Sequence, residues 1–266
     1  MSNKYESEYE NYHNFCLNCV EDDGIFYKFR NIREYVDIVE NDTLYQGQQY
    51  LDVIKLHEKI HSKILTFQRN DLIGRPSVYD YEIGTFCATT LQYVKVACDL
   101  DKFLGNLNNF KICEIGGGYG GQLLILDALY KNLDYSMVDL RGSLSVTKKY
   151  LSNYELSSNV KYIRPEEVQK DEYDLVISNY AFSELLLEIQ DEYADSILST
   201  SKNGYITYNN WPNNYTLNDY KSKFKACIVE DYPTCNGADG EADTKIIFWG
   251  ESSTNNNWYK YWKRNI

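Results

Sequence analysis

The sequence predicts an α/β fold built on a seven-stranded, mostly parallel sheet with a helical extension at its N-terminal end. Three observations predict it. From residue 110 onward short apolar segments alternate with amphipathic stretches, the signature of βαβ units around a parallel sheet. The first segment runs into Glu114-Ile115-Gly116-Gly117-Gly118-Tyr119-Gly120-Gly121, a glycine-rich link from strand to helix. Upstream, Leu51, Ile54, His57, Ile60 and Ile64 fall at helical spacing.

Residues 1–108 read as the extension, with helices over Ile32–Val39, Tyr50–Leu65 and Thr89–Phe103 and turns at Gly47 and Ile73-Gly74-Arg75-Pro76. Residues 109–266 read as the sheet domain. Its strands are expected at Lys111–Glu114, Tyr135–Asp139, Val160–Ile163, Tyr173–Ser178, Tyr205–Tyr208, Ala226–Val229 and Lys245–Trp249. Helices are expected at Gly121–Tyr130, Leu144–Leu151, Glu184–Leu198 and Leu217–Phe224, with Ser143 and Thr216 as caps. In such sheets the loops at the carboxyl ends of the strands form the ligand crevice, so functional residues belong just after each strand.

Composition narrows the function. The 266 residues are 43% hydrophobic and 25% charged, ordinary for a folded protein. A net charge of -12, with no concentrated Lys/Arg cluster, argues against a phosphate backbone as partner, so no nucleic acid is expected. The N-terminus lacks the basic and apolar regions of a leader, and no stretch approaches the ~18 apolar residues of a membrane span; a cytoplasmic protein is expected. The seven cysteines are expected to be reduced. Cys16-x-x-Cys19, with His13 upstream and His57/His61 at i, i+4, lacks the second half of a zinc site, so no metal is expected. The Asn255-Asn256-Asn257 tract is too short to define a low-complexity region, and the aromatic, basic Trp258–Arg264 tail is expected to dock on the domain.

About 20 residues beyond the glycine turn, the next strand ends at Met137-Val138-Asp139, an acidic residue placed to accept hydrogen bonds from ribose hydroxyls. Gly116–Gly121 formally satisfies the GxGxxG template of dinucleotide sites. Glu114, two residues before the first glycine, would repel a phosphate and suit the ammonium or sulfonium of S-adenosylmethionine.

The glycine motif, Asp139-Leu140 and Ser178-Asn179-Tyr180-Ala181-Phe182-Ser183-Glu184-Leu185 together resemble the sugar O-methyltransferase family of Rossmann-like class I methyltransferases. Thr90-Leu91-Gln92-Tyr93 and Ile246-Ile247-Phe248-Trp249-Gly250 are also similar to it, so the resemblance runs from about Tyr79 to Gly250. It implies S-adenosylmethionine as cofactor, with Glu114, Gly116, Gly117 and Gly118 around the methionine part, Asp139 on the ribose, Glu166 of Arg164-Pro165-Glu166-Glu167 near adenine, and Asn179 beside the cofactor. The family's acidic-Leu-Pro is Asp139-Leu140-Arg141 here, so the local turn can differ.

Methylating an alcohol needs a positioned acceptor and a base. Glu184 is the candidate base, with Asn179 and Tyr180 orienting; the competing role for Glu184 is a first-turn carboxylate facing a helix dipole. A Pro-Pro-aromatic tetrapeptide is absent where Ser178-Asn179-Tyr180-Ala181 stands, which argues against a base-flipping adenine methyltransferase. Asn209, Asn210 and Trp211 follow the fifth strand, and amides with an aromatic face suit a carbohydrate; alternatively Trp211 anchors a polar loop in the core. The expected activity is methyl transfer to a sugar hydroxyl, on a glycan-linked or nucleotide-activated sugar. Alternatives are a non-sugar small-molecule acceptor and a catalytically inactive binding module. The extension could also carry an oligomer contact.

Overall fold

A central strand of a parallel sheet is buried on both faces and reads as a continuous apolar run. Lys111–Ile115 is buried in that way over its last four residues, although Glu114 interrupts the apolar run. In the computed structural model of the chain, residues 9–229 and 244–250 are described. The Asn255-Asn256-Asn257 tract and the Trp258–Arg264 tail lie outside them.

In chain order the elements are α1 (Glu10–Glu21), α2 (Asp23–Phe26), α3 (Arg33–Val39), α4 (Leu44–Lys55), α5 (Glu58–His61), the hairpin strands β1 (Tyr79–Tyr81) and β2 (Gly84–Phe86), and α6 (Ala88–Leu104). Then follow β3 (Lys111–Ile115), α7 (Gly121–Leu129), β4 (Asp134–Val138), α8 (Arg141–Leu151), β5 (Asn159–Ile163), β6 (Leu175–Asn179), α9 (Ala181–Glu184) and α10 (Leu187–Tyr193). The last are β7 (Gly204–Tyr208), α11 (Leu217–Phe224), β8 (Cys227–Val229) and β9 (Lys245–Trp249).

The chain forms two compact units. One comprises Asp99–Gly116, Tyr130–Val138 and the chain from Ser158 onward, and holds a seven-stranded sheet of order β5-β4-β3-β6-β7-β9-β8. Strands β5 to β7 are mutually parallel, and β9 runs antiparallel to β7 and β8. The chain moves outward from β3 to β5, then returns to place β6 on the other side of β3. That reversal is the topological switch point of a doubly wound, Rossmann-like sheet, where ligands bind at the carboxyl ends of the strands. Trp249 closes over Gly204, and Phe103 meets Phe248 edge-on at 4.9 Å.

The other unit comprises the chain up to Cys98 with Gly117–Leu129 and Asp139–Ser157. Here α1 packs along α8, and α7 packs against a 3-10 segment at Ile64–Asp71. Its interior holds a buried charge cluster. Arg30 is fully buried, donates to Glu40 at 2.5 Å and to the Asn70 carbonyl, and lies 4.1 Å over the ring of Tyr119. Asn70 in turn donates to the Tyr119 hydroxyl at 3.1 Å, and Tyr150 donates to the Asn70 carbonyl at 2.8 Å. Buried charges persist only when paired and hydrogen-bonded in this manner.

Several local expectations are corrected. Gly47 is not a turn but an interior residue of α4, where a Cβ would lie within 3.1 Å of Tyr81 and Ala88 atoms, so close approach explains the glycine. The stretch Tyr50–Leu65 is not one helix: α4 ends at Lys55, and α5 and the 3-10 segment follow. Ser143 does not cap α8, which opens at Arg141; its hydroxyl is taken by Asp139 instead. The helix expected over Glu184–Leu198 breaks at Leu185-Leu186 into α9, α10 and a π turn at Ala194–Leu198. Thr216 does cap α11, in a capping box with Asp219. The β1–β2 hairpin was not anticipated, because two three-residue strands leave no periodicity to read.

Candidate functional site

The end of β3 and the end of β6 meet closely. Gly116 has φ +77°, and a Cβ on it would sit 2.1 Å from the Ala181 Cβ, so both the backbone conformation and the packing require glycine. Ser178 ties the two strand ends together, donating to the Ile115 carbonyl at 3.0 Å and accepting from the Phe182 amide at 2.9 Å. Between them Tyr180 adopts φ 67°, ψ -45°, with its amide held by the Thr207 carbonyl at 2.9 Å. Such a conformation costs a non-glycine residue about 1–3 kcal/mol and persists only where surroundings impose it. Glu114, 2% exposed, accepts from the Tyr135 hydroxyl at 2.9 Å, a bond between neighbouring strands β3 and β4.

Within the helical unit the glycine turn continues at Gly117, whose carbonyl takes the Gly120 amide at 2.9 Å, and Gly118, at φ +55°. The Gly118 amide donates to Asp139 Oδ2 at 3.1 Å. Asp139 also accepts from the Leu140 amide at 2.7 Å and the Ser143 hydroxyl at 2.8 Å. Burial pushes the Asp139 carboxyl up to about 6, against the downward pull of those three donors. Ser143 receives a bond from the Tyr12 hydroxyl at 3.3 Å, and Thr147 donates to the Gly118 carbonyl. The glycine turn and the acidic residue just after β4 are therefore joined by a direct hydrogen bond. Ser143 and Tyr12 were missed as its supports. Ser143 stands four residues after Asp139, a spacing readable only once α8 is known to start at Arg141.

Glu184, at the end of α9, retains partial exposure and accepts from Asn209 Nδ2 at 2.7 Å. Burial raises its carboxyl above the ordinary range, and the Asn209 amide pulls it back. The Asn209 backbone donates to Ser183 Oγ at 3.1 Å, and Ser183 donates to the Tyr180 carbonyl at 2.7 Å. A continuous hydrogen-bonded chain thus runs Tyr180, Ser183, Asn209, Glu184 across the ends of β6 and β7. Asn179 joins from the side, accepting from Thr207 at 3.2 Å. Asn210 accepts from Tyr208 at 3.1 Å and lines a cavity of about 400 Å³ with Tyr208, Thr216, Lys221 and Lys245.

Trp211 is 51% exposed, so it does not anchor its loop in the core. Tyr208, Tyr215 and Tyr220 do that, all buried, with Tyr215 and Tyr220 edge-on to Phe182 and Tyr208 edge-on to Tyr220. Glu166 lies on an exposed 3-10 turn, Pro165–Glu167, paired with Arg164 at 3.2 Å. Cys16 and Cys19 are buried in α1 as free thiols, Cys19 pushed up to about 12 by burial. Among the described residues no group of three His, Cys, Asp or Glu could hold a metal ion, and no helix is long and apolar enough to cross a membrane.

No family model and no curated protein matches the sequence, so the resemblance to sugar O-methyltransferases rests on the motifs themselves. Solved structures do align. Thermoplasma acidophilum 1320 matches at 12% identity over 60% of this chain and 86% of its own, TM-score 0.42. PKMT2 from Rickettsia typhi, in complex with AdoHcy, matches at 21% identity over 45% of this chain and 25% of its own, TM-score 0.37. The Thermus thermophilus 16S rRNA N2 G1207 methyltransferase, in complex with AdoMet and guanosine, matches at 15% identity over 59% of this chain and 42% of its own, TM-score 0.45. The chain thus spans less than half the length of two of these three. The α/β class stands on the strand order described above and not on these likenesses.

Proposed function

We propose that this chain is an S-adenosylmethionine-dependent O-methyltransferase whose acceptor is a sugar hydroxyl. The observation that carries the reading is Glu184, a partly exposed carboxylate of raised proton affinity held by Asn209 beside the switch point of the sheet. Helix α9 is a single turn of four residues, so a dipole gives little reason for the charge, and its carboxylate is bonded to the β7 loop rather than to its own helix.

The residues fit the cofactor chemically. Asp139 is a carboxylate suited to ribose hydroxyls, Glu114 a carboxylate suited to a cation, and Gly116, Gly117 and Gly118 carry no side chains of their own. When bound, the cofactor supplies a methyl group on a cationic sulfur, whose displacement leaves a neutral thioether. Glu184 then has one task, to take the acceptor's hydroxyl proton as the oxygen attacks; a raised carboxyl is closer in affinity to that proton than an ordinary one. Asn209 fixes the orientation of Glu184, and the strained Tyr180 sets the start of α9.

Support for a sugar comes from the segment after β7. Asn210 and Tyr208 border a cavity of about 400 Å³, and the half-exposed ring of Trp211 is available to a pyranose face. The test is incubation with isotopically labelled S-adenosylmethionine and a panel of free, nucleotide-linked and glycan-linked sugars, read by mass spectrometry. Label on a sugar is expected. Label only on non-sugar acceptors would replace the sugar, and absence of cofactor binding would remove the reading altogether.

A further inference from the structure

Cations are the minority in this chain, 27 Lys and Arg against 39 Asp and Glu, yet the cavity after β7 runs against that balance. Among the described residues that line it are Lys221 and Lys245 and no carboxylate. The fold places both lysines. Lys245 opens β9 directly across from Tyr208, the last residue of β7, so it stands at the carboxyl edge of the parallel strands, where ligands bind. Lys221 stands one turn into α11, and the start of that helix, from Thr216 to Asn218, walls the same cavity.

Lys221 is exposed and forms no ion pair among the described residues, whereas Lys223, two positions on, pairs with Asp191 at 3.7 Å and lies 4.9 Å over the Tyr215 ring. The carboxylate of the first turn of α11, Asp219, is turned back onto the Thr216 amide and hydroxyl, at 2.7 Å to each. Like charges lining one cavity repel, and an anion between them turns the repulsion into attraction. A phosphate ester carries up to two negative charges and takes lysines as point-charge partners, whereas a sugar carboxylate carries one charge and a neutral glycan none. The volume, about 400 Å³, falls in the range of small-molecule sites. Asn210, on the cavity wall, follows Asn209, the partner of Glu184.

We propose that the acceptor sugar bears a phosphate ester, held by Lys221 and Lys245 in this cavity while a hydroxyl of the same sugar is presented to Glu184. This rests on the methyltransferase reading above and narrows its acceptor from sugars at large to phosphorylated ones, either a sugar phosphate or a sugar linked to a nucleoside diphosphate. Two lysines match one small anion and not the long polyanion of a nucleic acid.

The experiment is calorimetric titration of inorganic pyrophosphate into the wild type, Lys221→Gln, Lys245→Gln and the control Lys223→Gln. It is followed by methyl transfer from labelled S-adenosylmethionine to sugars offered in neutral, 1-phosphate and nucleoside diphosphate forms. Pyrophosphate is expected to bind the wild type and the control alike, and each of the other two about tenfold more weakly, the loss of one charge-assisted contact. KM for the phosphorylated acceptor should rise by the same factor in those two variants, and the phosphorylated form that takes the label identifies the source of the phosphate. Lys221 is exposed, so Lys221→Gln should melt with the wild type, and Lys221→Arg should restore binding. Wild-type pyrophosphate affinity in either lysine variant, or neutral sugars methylated as readily as phosphorylated ones, would overturn the inference and leave the methyltransferase reading standing. A wild type that binds no S-adenosylmethionine removes that reading, and the phosphorylated acceptor with it.

Discussion

Asp139→Asn separates the structural role of one carboxylate from the cofactor-binding role proposed for it. In the ligand-free protein Asp139 accepts from the Gly118 and Leu140 amides and from Ser143, while burial lifts its carboxyl from 3.8 to about 6. A folded-state value above the unfolded one means that the stability linked to this group is fully present below pH 4 and is lost as pH rises through 6. The difference corresponds to about 3 kcal/mol. Asparagine does not titrate, so the stability difference between variant and wild type should move by about 3 kcal/mol in the variant's favour between pH 4 and pH 7. Asparagine presents one acceptor oxygen where two were used, so an amide of the turn is left facing an NH₂ group, a penalty of about 1–3 kcal/mol that shifts the whole curve down. Urea unfolding at several pH values measures both effects. Cofactor affinity should fall about tenfold or more, through loss of charge-assisted bonds to the ribose. Parallel stability curves for the two proteins would refute the buried-charge argument, and unchanged affinity would refute the ribose assignment.

Four further outcomes are expected. Glu184→Gln keeps the acceptor oxygen for Asn209, so melting should stay near wild type while turnover falls about 10² to 10⁴-fold; a variant with full turnover and lowered stability would return Glu184 to a structural role and make His57 or His61 the next base to test. Wild-type turnover should rise with pH through a carboxyl titrating above its ordinary 4.5, and Glu184→Gln should abolish that limb. Gly116→Ala must push a methyl into Ala181 at a positive φ, so a loss of several kcal/mol, about 2–5, is expected in chemical unfolding. Activity should survive EDTA, since no described group of carboxylates or imidazoles offers a metal site; restoration by Mg²⁺ after loss would redirect attention to Asp139, Asp174 and Glu184.

Legibility followed the strength of local signals. The strands were readable because β3, β4, β6 and β7 are short, largely apolar stretches bounded by polar and turn residues, and the glycine turn because only a tight strand-to-helix link concentrates glycines at that place. Helix boundaries were harder. Gly47 looked like a turn because the close approach of Tyr81 that selects it is a long-range contact. Ser143 looked like a cap because the carboxylate it serves lies before the helix, not above it. The Glu184–Asn209 bond joins residues 25 apart and leaves no trace in either neighbourhood.

Tyr119 sits in the middle of the glycine motif, yet its side chain is wholly interior, beneath the Arg30 guanidinium and among the rings of Phe29, Tyr93 and Tyr150. A motif that reads as a ligand loop therefore doubles as a rivet for the N-terminal helices. Selection on that one aromatic position acts on two traits together, because any drift that loosens Arg30 or Phe29 also loosens the backbone on either side of Tyr119. Lineages that shed the extension would have to rewrite the loop as well, so the two should be inherited or lost as a pair.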